Sequence, residues 1–239
     1  MYLGVDEAGK GPVLGPMVAA AVLADPASLP ADVDDSKRLA PARREAIAEA
    51  VRGGDGVAVG VAFVEPAEID RPDTDMNTLT VRGQARAVRA ALDGFEPASD
   101  GGPDAPIRVV ADAGDTSEAR FARRLGEFVE AEGDADGAAA AERPAVDVEA
   151  FHGADESDPV VGAASVVAKV ARDARMAAID DGYPEYDGVG SGYPSDPTTR
   201  SFLRAYVADH GDVPDCARRS WATCDDVLAA AEQSGLDDF

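Results

Sequence analysis

The sequence predicts an α/β fold in which a mixed sheet is layered with helices. Short β-rich runs alternate along the chain with segments of helical periodicity, a pattern that is typical of this class. Residues 5–24 are predicted to form two strands joined by the turn Gly9-Lys10-Gly11-Pro12. Strands this close in sequence can pair as a hairpin, so the sheet is expected to be mixed.

The other elements follow from their own residue patterns. Pro41 suits the first turn of a helix over residues 41–51, because proline lacks the amide hydrogen that this turn leaves unpaired. A second helix is predicted over residues 77–92, where apolar residues share one face at helical spacing. Further strands are predicted at 57–64, 107–111 and 146–151, further helices after a capping box at 115–118 and at 159–179 and 198–208, and loops at 95–106 and 132–144.

The length and composition limit the class of protein. A chain of 239 residues with 45% hydrophobic residues can bury one sizeable core, or a core domain with a small appendage. Its longest apolar run, near residues 13–24, is broken by Gly15 and Pro16 and is too short to span a membrane. The N-terminus meets acid at Asp6 and lacks the features of a signal peptide. Two cysteines are too few for a disulfide framework, which predicts a cytoplasmic protein.

The charge balance indicates adaptation to high salt. The net charge is −24, and three lysines stand against nineteen arginines. In ~1 M salt the Debye length is only ~3 Å, so general repulsion from phosphates disappears beyond contact range. The acidity therefore suits a halophile and does not exclude a nucleic-acid substrate, although an ordinary acidic protein is the alternative.

Carboxylates end three of the predicted elements. Asp6 and Glu7 close the first strand, Asp112 closes the strand at 107–111, and Asp155 follows the strand at 146–151. Hydrolysis of a phosphodiester by two metal ions needs several carboxylates that converge from different elements, because hard cations prefer oxygen ligands. The chain has 46 acidic residues, so a solvated carboxylate is the alternative for any one of them.

Six segments together resemble the ribonuclease HII family. They occur in the family's order and cover roughly residues 3–211. The resemblance, to archaeal members in particular, implies a ribonuclease H-like fold with a helical C-terminal part. It divides the chain into a catalytic domain at 1–211 and a helical segment with a tail at 212–239. The segments are Asp6-Glu7-Ala8-Gly9-Lys10-Gly11-Pro12 with Gly15-Pro16, Asp35-Ser36-Lys37-Arg38-Leu39, Ala111-Asp112-Ala113, His152-Gly153-Ala154-Asp155, residues 163–173, and residues 190–197.

The resemblance also implies an activity. Ribonucleases HII hydrolyse the RNA strand of RNA–DNA hybrids and cut at ribonucleotides embedded in duplex DNA, leaving 5′-phosphate and 3′-hydroxyl ends. By position, the family's metal-binding and catalytic carboxylates fall on Asp6, Glu7, Asp112 and Asp155, which would hold Mg²⁺ or Mn²⁺.

Substrate-binding residues are carried over in the same way. The family's glycine–basic–glycine motif, whose backbone meets the 2′-hydroxyl, falls on Gly9, Lys10 and Gly11, and its substrate-sensing tyrosine falls on Tyr193. Many relatives have arginine at position 10, so a bidentate phosphate contact is less expected from Lys10. For Tyr193 the alternative is a loop residue packed on the core.

The three lysines of the chain are a further indication of phosphate binding. Lys10, Lys37 and Lys169 all lie inside the six segments. A point cation near phosphates is a reason to retain them in a chain that otherwise uses arginine. Coincidence and ordinary ion pairing are the alternatives.

The last seven residues resemble the peptide by which replication proteins dock on the sliding clamp. Gln233, Leu236 and Phe239 follow one another at intervals of three. One helical turn would bring Leu236 and Phe239 to the same side, as an apolar plug for a groove. The alternative is a frayed terminus.

Two rival functions are compatible with these features. One is a different metal-dependent nuclease or phosphatase on the same fold, and the other is a non-catalytic adaptor that binds hybrids and the clamp. Four converging carboxylates disfavour the adaptor, since a pure binder gains nothing from negative charge near phosphates. His152 is expected to be packed or solvated, with assistance to proton transfer as the alternative. The arginines at 82, 86 and 89 are expected to form a solvated helix face, with phosphate contact as the alternative, and the acids at 65, 68, 70, 73 and 75 are expected to lie at the surface.

Overall fold

The computed structural model describes residues 1–31, 33, 40–95, 106–131 and 144–237. Its described part contains one five-stranded sheet of order β3-β2-β1-β4-β5. Strand β1 pairs antiparallel with β2 and parallel with β4, and β4 pairs parallel with β5, so the predicted mixed sheet is confirmed. The strands are β1 Tyr2–Ala8, β2 Met17–Ala24, β3 Ala58–Val64, β4 Ile107–Asp112 and β5 Val146–Phe151.

Eight α-helices and a short 3-10 helix accompany the sheet in the described part of the chain. Each helix predicted from periodicity is present, as is the helical C-terminal part, whereas the short helices α2 and α5 were not predicted. The segment with Lys37 and the interiors of both predicted loops lie outside the described residues. The helices are α1 Pro41–Arg52, α2 Pro66–Ile69, α3 Met76–Asp93, α4 Glu118–Ala131, α5 Ala154–Ser157, α6 Pro159–Asp181, α7 Pro197–His210 and α8 Ala222–Asp237, with the 3-10 helix at Pro26–Ser28.

The residues form two compact units, and the first contains the sheet. It comprises residues 1–8, 18–63 and 77–171. All of β2 is buried, and its alternate residues enter two different apolar cores. Ala19, Ala21 and Leu23 pack with α3 and α4, while the intervening residues pack with α1 and α6. A strand covered on both faces explains why β2 is continuously apolar rather than alternating.

Glycines allow helices to approach the sheet closely in this unit. A Cβ added at Gly4 in β1 would overlap the backbone of Val160 at the start of α6. The same is true of Gly60 in β3 against the backbone of Ala87 in α3. Asp158 fixes the start of α6, because its carboxylate accepts from the amides of the first turn.

The arginines of α3 depart from the prediction of a solvated helix face. Arg89 is buried, and its Nη1 donates to the carbonyl of Phe128 in α4 at 2.7 Å. The Arg82 guanidinium lies 5.5 Å from the centre of the Phe128 ring. The prediction was wrong because arginine can bury its stem and place its donors on carbonyls and aromatic faces, which periodicity alone does not reveal.

The second unit comprises residues 9–17, 64–76 and 172–239. Its core joins the end of α6 to α7 and α8 through apolar and aromatic side chains, among them Phe202, Leu203 and Val207. Residue 211 lies in this unit between α7 and α8. The division at this residue into a catalytic domain and a C-terminal segment stays a prediction. None of the helices described in either unit is long and apolar enough to cross a membrane.

Candidate active site

Two of the candidate carboxylates lie side by side on neighbouring strands of the first unit. Val5 of β1 is in register with Ala111 of β4, and the two strands are parallel. The next residue on each strand is therefore an aspartate, Asp6 on one and Asp112 on the other. Sites in open α/β sheets form toward the carboxyl ends of parallel strands. Asp112 ends β4, and Asp6 follows the last residue of β1 that pairs with β4, although β1 itself continues to Ala8 rather than closing at Asp6 and Glu7 as predicted.

Asp6 occupies a buried position beside two other carboxylates. It is only 5% exposed, and its Oδ1 accepts from the amide of Glu7 at 2.7 Å. Burial raises the pKa of Asp6 well above its usual value, the charges of Glu7 and Asp112 raise it further, and a hydrogen bond with Ser165 opposes this. Three carboxylates thus act on one another at this edge of the sheet.

Glu7 is oriented by a glutamine that sequence reasoning missed. Gln84 of α3 is fully buried, and its Nε2 donates to Glu7 Oε2 at 2.7 Å and to the carbonyl of Asp112 at 3.1 Å. One amide group therefore connects two candidate ligands. Gly114 leaves room for this arrangement, since a Cβ there would lie 3.2 Å from Glu7 Oε1 and 2.6 Å from Thr80 Cγ2.

Asp112 is tied to the element that carries Asp155. Its Oδ1 accepts from the amide of Ala154, the first residue of α5, at 2.9 Å. Gly153 precedes this helix with a φ of 70°, a left-handed conformation that favours glycine. Asp155 is the second residue of α5 and is 6% exposed. This bond links the fourth candidate ligand to the end of β4.

The donor set fits a hard divalent cation. All four side chains supply carboxylate oxygens, and the negative charges of Glu7 and Asp112 act on the buried Asp6, so that a bound cation would relieve their repulsion. Within the described ranges, no three acidic, histidine or cysteine side chains are already grouped as ligands to one ion. The fit therefore rests on donor chemistry and strand placement.

His152 fixes the loop that follows Asp112. Its Nε2 lies 2.7 Å from the carbonyl of Asp115, and its Nδ1 lies 2.9 Å from Glu118 Oε1. The Asp115 carbonyl is the main cause of a raised pKa of His152, with Glu118 contributing. Hydrogen bonding from Arg120 lowers the pKa of Asp115 to about 2. Both ring nitrogens are thus engaged in holding this loop to the end of β5.

The glycine–lysine–glycine motif lies in the second unit, where it meets Tyr193. Gly9 has a φ of 85°, and a Cβ there would overlap the Arg172 side chain. At Gly11 a Cβ would lie 3.9 Å from Tyr193 Cε1. Tyr193 is 41% exposed, and the Arg172 guanidinium lies 5.5 Å from the centre of its ring. The structure thus brings together Gly11 and Tyr193, which are distant in sequence.

The structure describes the remaining predicted site residues only in part. Lys169 lies in α6 of the first unit and is partly buried, and Lys37 lies outside the described residues. Gln233 is exposed on α8. Leu236 falls within the same helix, but its side chain and the whole of Phe239 lie outside the described part.

The fold and the strand-end carboxylates define a class, that of ribonuclease H-like proteins. A ribonuclease H2 from Pyrococcus horikoshii superposes with a TM-score of 0.76 at 31% identity, covering 97% of this chain and 98% of that one. A Bst ribonuclease HIII in complex with Mn²⁺ shares the fold at a TM-score of 0.70 and 21% identity, covering 97% of this chain and 70% of that one.

Comparison of sequences narrows this class to one family. The family model described as ribonuclease HII matches residues 3–224. A ribonuclease HII from Haloarcula marismortui is 55% identical over 100% of both chains, and one from Halobacterium salinarum is 50% identical over 99% of this chain and 98% of its own. The chain belongs to the ribonuclease HII family and is therefore an endoribonuclease.

Proposed function

We propose that this protein hydrolyses the RNA strand of RNA–DNA hybrids, cuts at ribonucleotides embedded in duplex DNA, and leaves 5′-phosphate and 3′-hydroxyl ends. The observation that carries the proposal is the placement of Asp6 and Asp112 next to one another, directly after the last paired residues of two adjacent parallel strands. Glu7 adjoins this pair, and α5 with Asp155 is bonded to it. Family membership supports the substrate class.

Asp6, Glu7, Asp112 and Asp155 are the proposed ligands of two divalent cations, Mg²⁺ or Mn²⁺. When bound, such ions activate water for attack on phosphorus and stabilise the leaving oxygen. The chain contributes by holding its carboxylates in place, with Gln84 orienting Glu7 and the Ala154 amide orienting Asp112. The Mn²⁺ complex of the Bst ribonuclease HIII is consistent with this choice of metal.

Substrate recognition is proposed for Gly9, Lys10, Gly11 and Tyr193. Glycines permit close approach of the backbone to a ribose, and the 2′-hydroxyl is the group that distinguishes RNA from DNA. The proximity of Gly11 and Tyr193 supports a common role. Lys37 and Lys169 are proposed to contact phosphates, as point cations do.

A duplex with a single ribonucleotide tests this function against its rivals. We expect cleavage of that duplex in Mg²⁺ and molar salt, no cleavage of the matched all-DNA duplex, and no cleavage of either with a chelator. Cleavage of the all-DNA duplex would favour a different nuclease. Binding to the ribonucleotide duplex without cleavage in Mg²⁺ would favour an adaptor.

Replacing Tyr193 should separate a substrate contact from a packing role. Loss of an aromatic stacking surface on nucleic acid costs about 1–3 kcal/mol, so Tyr193→Ala should lower kcat/KM on the single-ribonucleotide duplex by about tenfold. Tyr193→Phe keeps the ring and serves as the matched control, with a rate close to that of the wild type. Unchanged rates in Tyr193→Ala, with a lower melting temperature, would make Tyr193 a packing residue.

The C-terminal tail is proposed to bind a sliding clamp. A solved complex of PCNA with ribonuclease HII from Archaeoglobus fulgidus has a TM-score of 0.75 and 32% identity, and both chains are covered completely. Here Gln233 is exposed, and α8 continues to Asp237. A helical backbone suits the interval of three between Leu236 and Phe239, which would place both on one side.

Truncation after Glu232 should abolish clamp binding and spare cleavage. Burial of Leu236 and Phe239 would supply about 1.5–3 kcal/mol each, most of the affinity of so short a peptide. Association is measured with the clamp of the same organism, and cleavage with a short duplex that needs no clamp. Asp237→Ala, a change in the same tail, is the matched control and should bind normally. Clamp binding by the truncated protein would contradict the proposal.

Two further assignments are proposed. The catalytic part is taken as residues 1–211 and the remaining residues as a helical segment with the clamp tail. A cytoplasmic location is proposed because both cysteines, Cys216 and Cys224, are free thiols.

A further inference from the structure

A buried arginine holds the glycine–lysine–glycine loop from inside the second unit. Arg218 is fully buried, and its guanidinium donates to three backbone carbonyls. Nη2 donates to Gly9 at 2.6 Å, Nη1 to Lys10 at 2.8 Å and Nε to Gly15 at 3.0 Å. These bonds connect residues more than two hundred positions apart in sequence.

The direction of these bonds determines which way the loop presents its amides. In a planar trans peptide the N–H points opposite to the preceding C=O, and the described chain contains no cis peptide bond. Because the carbonyls of Gly9 and Lys10 point toward Arg218, the N–H groups of Lys10 and Gly11 point away from it. The loop therefore directs two consecutive donors away from the core of the second unit.

Trp221 contacts the Arg218 side chain, and Asp70 binds the turn that carries it. The guanidinium lies 5.1 Å from the centre of the Trp221 ring, and Trp221 Nε1 donates to the Gly11 carbonyl at 3.3 Å. Asp70 accepts from the Ser220 amide at 2.9 Å and from its hydroxyl at 2.6 Å. The turn that carries the arginine is thus fixed by hydrogen bonds to Asp70.

Arg218 remains a cation at neutral pH despite its burial. Burial, together with the charge of the nearby Arg172, lowers the pKa of Arg218 to about 10. A buried charge is costly unless hydrogen bonds satisfy it. The loop carbonyls do so here, which favours a single conformation of the loop.

We propose that Arg218, supported by Trp221, is a positioning residue that orients the Lys10 and Gly11 amides toward the ribose of the substrate. This inference rests on the proposed function, because it assumes that this loop contacts the ribonucleotide. Arg218 is too deeply buried to meet the substrate itself and acts through the loop. A neutral side chain at position 218 would release the carbonyls and let the peptide planes rotate.

The test compares affinities for two duplexes, one with a single ribonucleotide and one all-DNA, in molar salt with a chelator. The ratio of the two dissociation constants is measured, because a smaller folded fraction changes both constants equally and cancels. We expect the wild type to favour the ribonucleotide by about fivefold, which is what one neutral hydrogen bond contributes. Arg218→Gln should bring the ratio close to one.

Two control variants make the result specific. Arg219→Gln makes the same change at the next residue, whose side chain pairs with Asp212 at the surface, and should keep the wild-type ratio. Val207→Ala opens the core of the second unit without touching the loop, and should lower the melting temperature but keep the ratio. Should Arg218→Gln fail to fold, Arg218→Lys is the second variant. Lysine keeps the charge but cannot donate to all three carbonyls with the geometry of a guanidinium, so the ratio should fall part of the way toward one.

The possible outcomes distinguish this inference from the proposed function. A wild-type ratio in the Arg218 variants overturns the positioning role and leaves the nuclease function untouched. An equal loss in Val207→Ala also overturns it, since general loosening would then be the cause. A wild type that neither prefers nor cleaves the ribonucleotide duplex refutes the proposed function itself.

Discussion

Asp112→Asn should reduce cleavage of a single-ribonucleotide duplex by more than about a hundredfold. Replacing a residue that hydrogen-bonds to a metal ligand lowers metal affinity or activity about 10–100-fold. Removing the charge of a ligand itself should lower the activity further. The fold should persist, because the substituted asparagine side chain would keep an oxygen to accept from the Ala154 amide, the bond now made by Asp112 Oδ1 at 2.9 Å. Initial rates in Mg²⁺ and in Mn²⁺ check the first expectation, and circular dichroism checks the second.

The matched control is the same substitution on the neighbouring strand. Asp147 lies in β5, is exposed, and faces Arg108 in the register of β4 and β5. Asp147→Asn removes one negative charge from the same sheet and should leave the rate unchanged. If Asp112→Asn cleaves as fast as Asp147→Asn, Asp112 does not belong to the site.

Lowering the salt from molar to ~0.1 M should unfold the protein. The Debye length grows from ~3 Å to ~10 Å over this range, so charges on the surface begin to repel one another across longer distances. With 46 acidic and 22 basic side chains, ion pairing cannot neutralise the excess. The pairs that do form include exposed ones such as Arg123 with Glu127, which contribute little. A salt series followed by circular dichroism measures the transition.

Sucrose at matched osmolality separates charge screening from general stabilisation. Excluded solutes strengthen burial without screening charge. We therefore expect KCl to restore the helical signal and sucrose to restore much less of it. Equal recovery in both, or a flat response to salt, would refute the inference of salt adaptation and would not affect the proposed nuclease activity.

The elements that carry the carboxylates could be predicted from sequence, because their signals are local. An acid directly after a short apolar run marks the end of β4 at Asp112, whereas β1 continues past Asp6 to Ala8. The register that makes them neighbours required the structure, since β2, β3 and the helices α1, α2 and α3 all lie between β1 and β4 in sequence. Family resemblance selected these acids from a chain in which acids are common.

The residues that support the site could not be predicted, because their partners are remote. Gln84 bonds to Glu7 across 77 positions, and Arg218 bonds to Gly9 across 209. Gln84 did leave a signal, since it stands on the apolar face of α3, three residues after Val81 and four before Val88. A polar residue there must find a buried partner. Arg218 left no such signal in the sequence. Asp70, predicted to be a surface acid, binds the turn beside Arg218, a contact that the prediction did not include.

The ends of the cleavage products test the central claim most directly. If water is activated at the carboxylate site, the phosphodiester is hydrolysed to a 5′-phosphate and a 3′-hydroxyl. If the ribose 2′-hydroxyl attacked instead, a 2′,3′-cyclic phosphate and a 5′-hydroxyl would result, and the four carboxylates would not be needed to activate water. Mass spectrometry of a cut single-ribonucleotide duplex distinguishes the two. We predict only 5′-phosphate and 3′-hydroxyl ends, formed with Mg²⁺ or Mn²⁺ and absent with a chelator. Cyclic phosphate products, or cleavage that survives chelation, would contradict this mechanism.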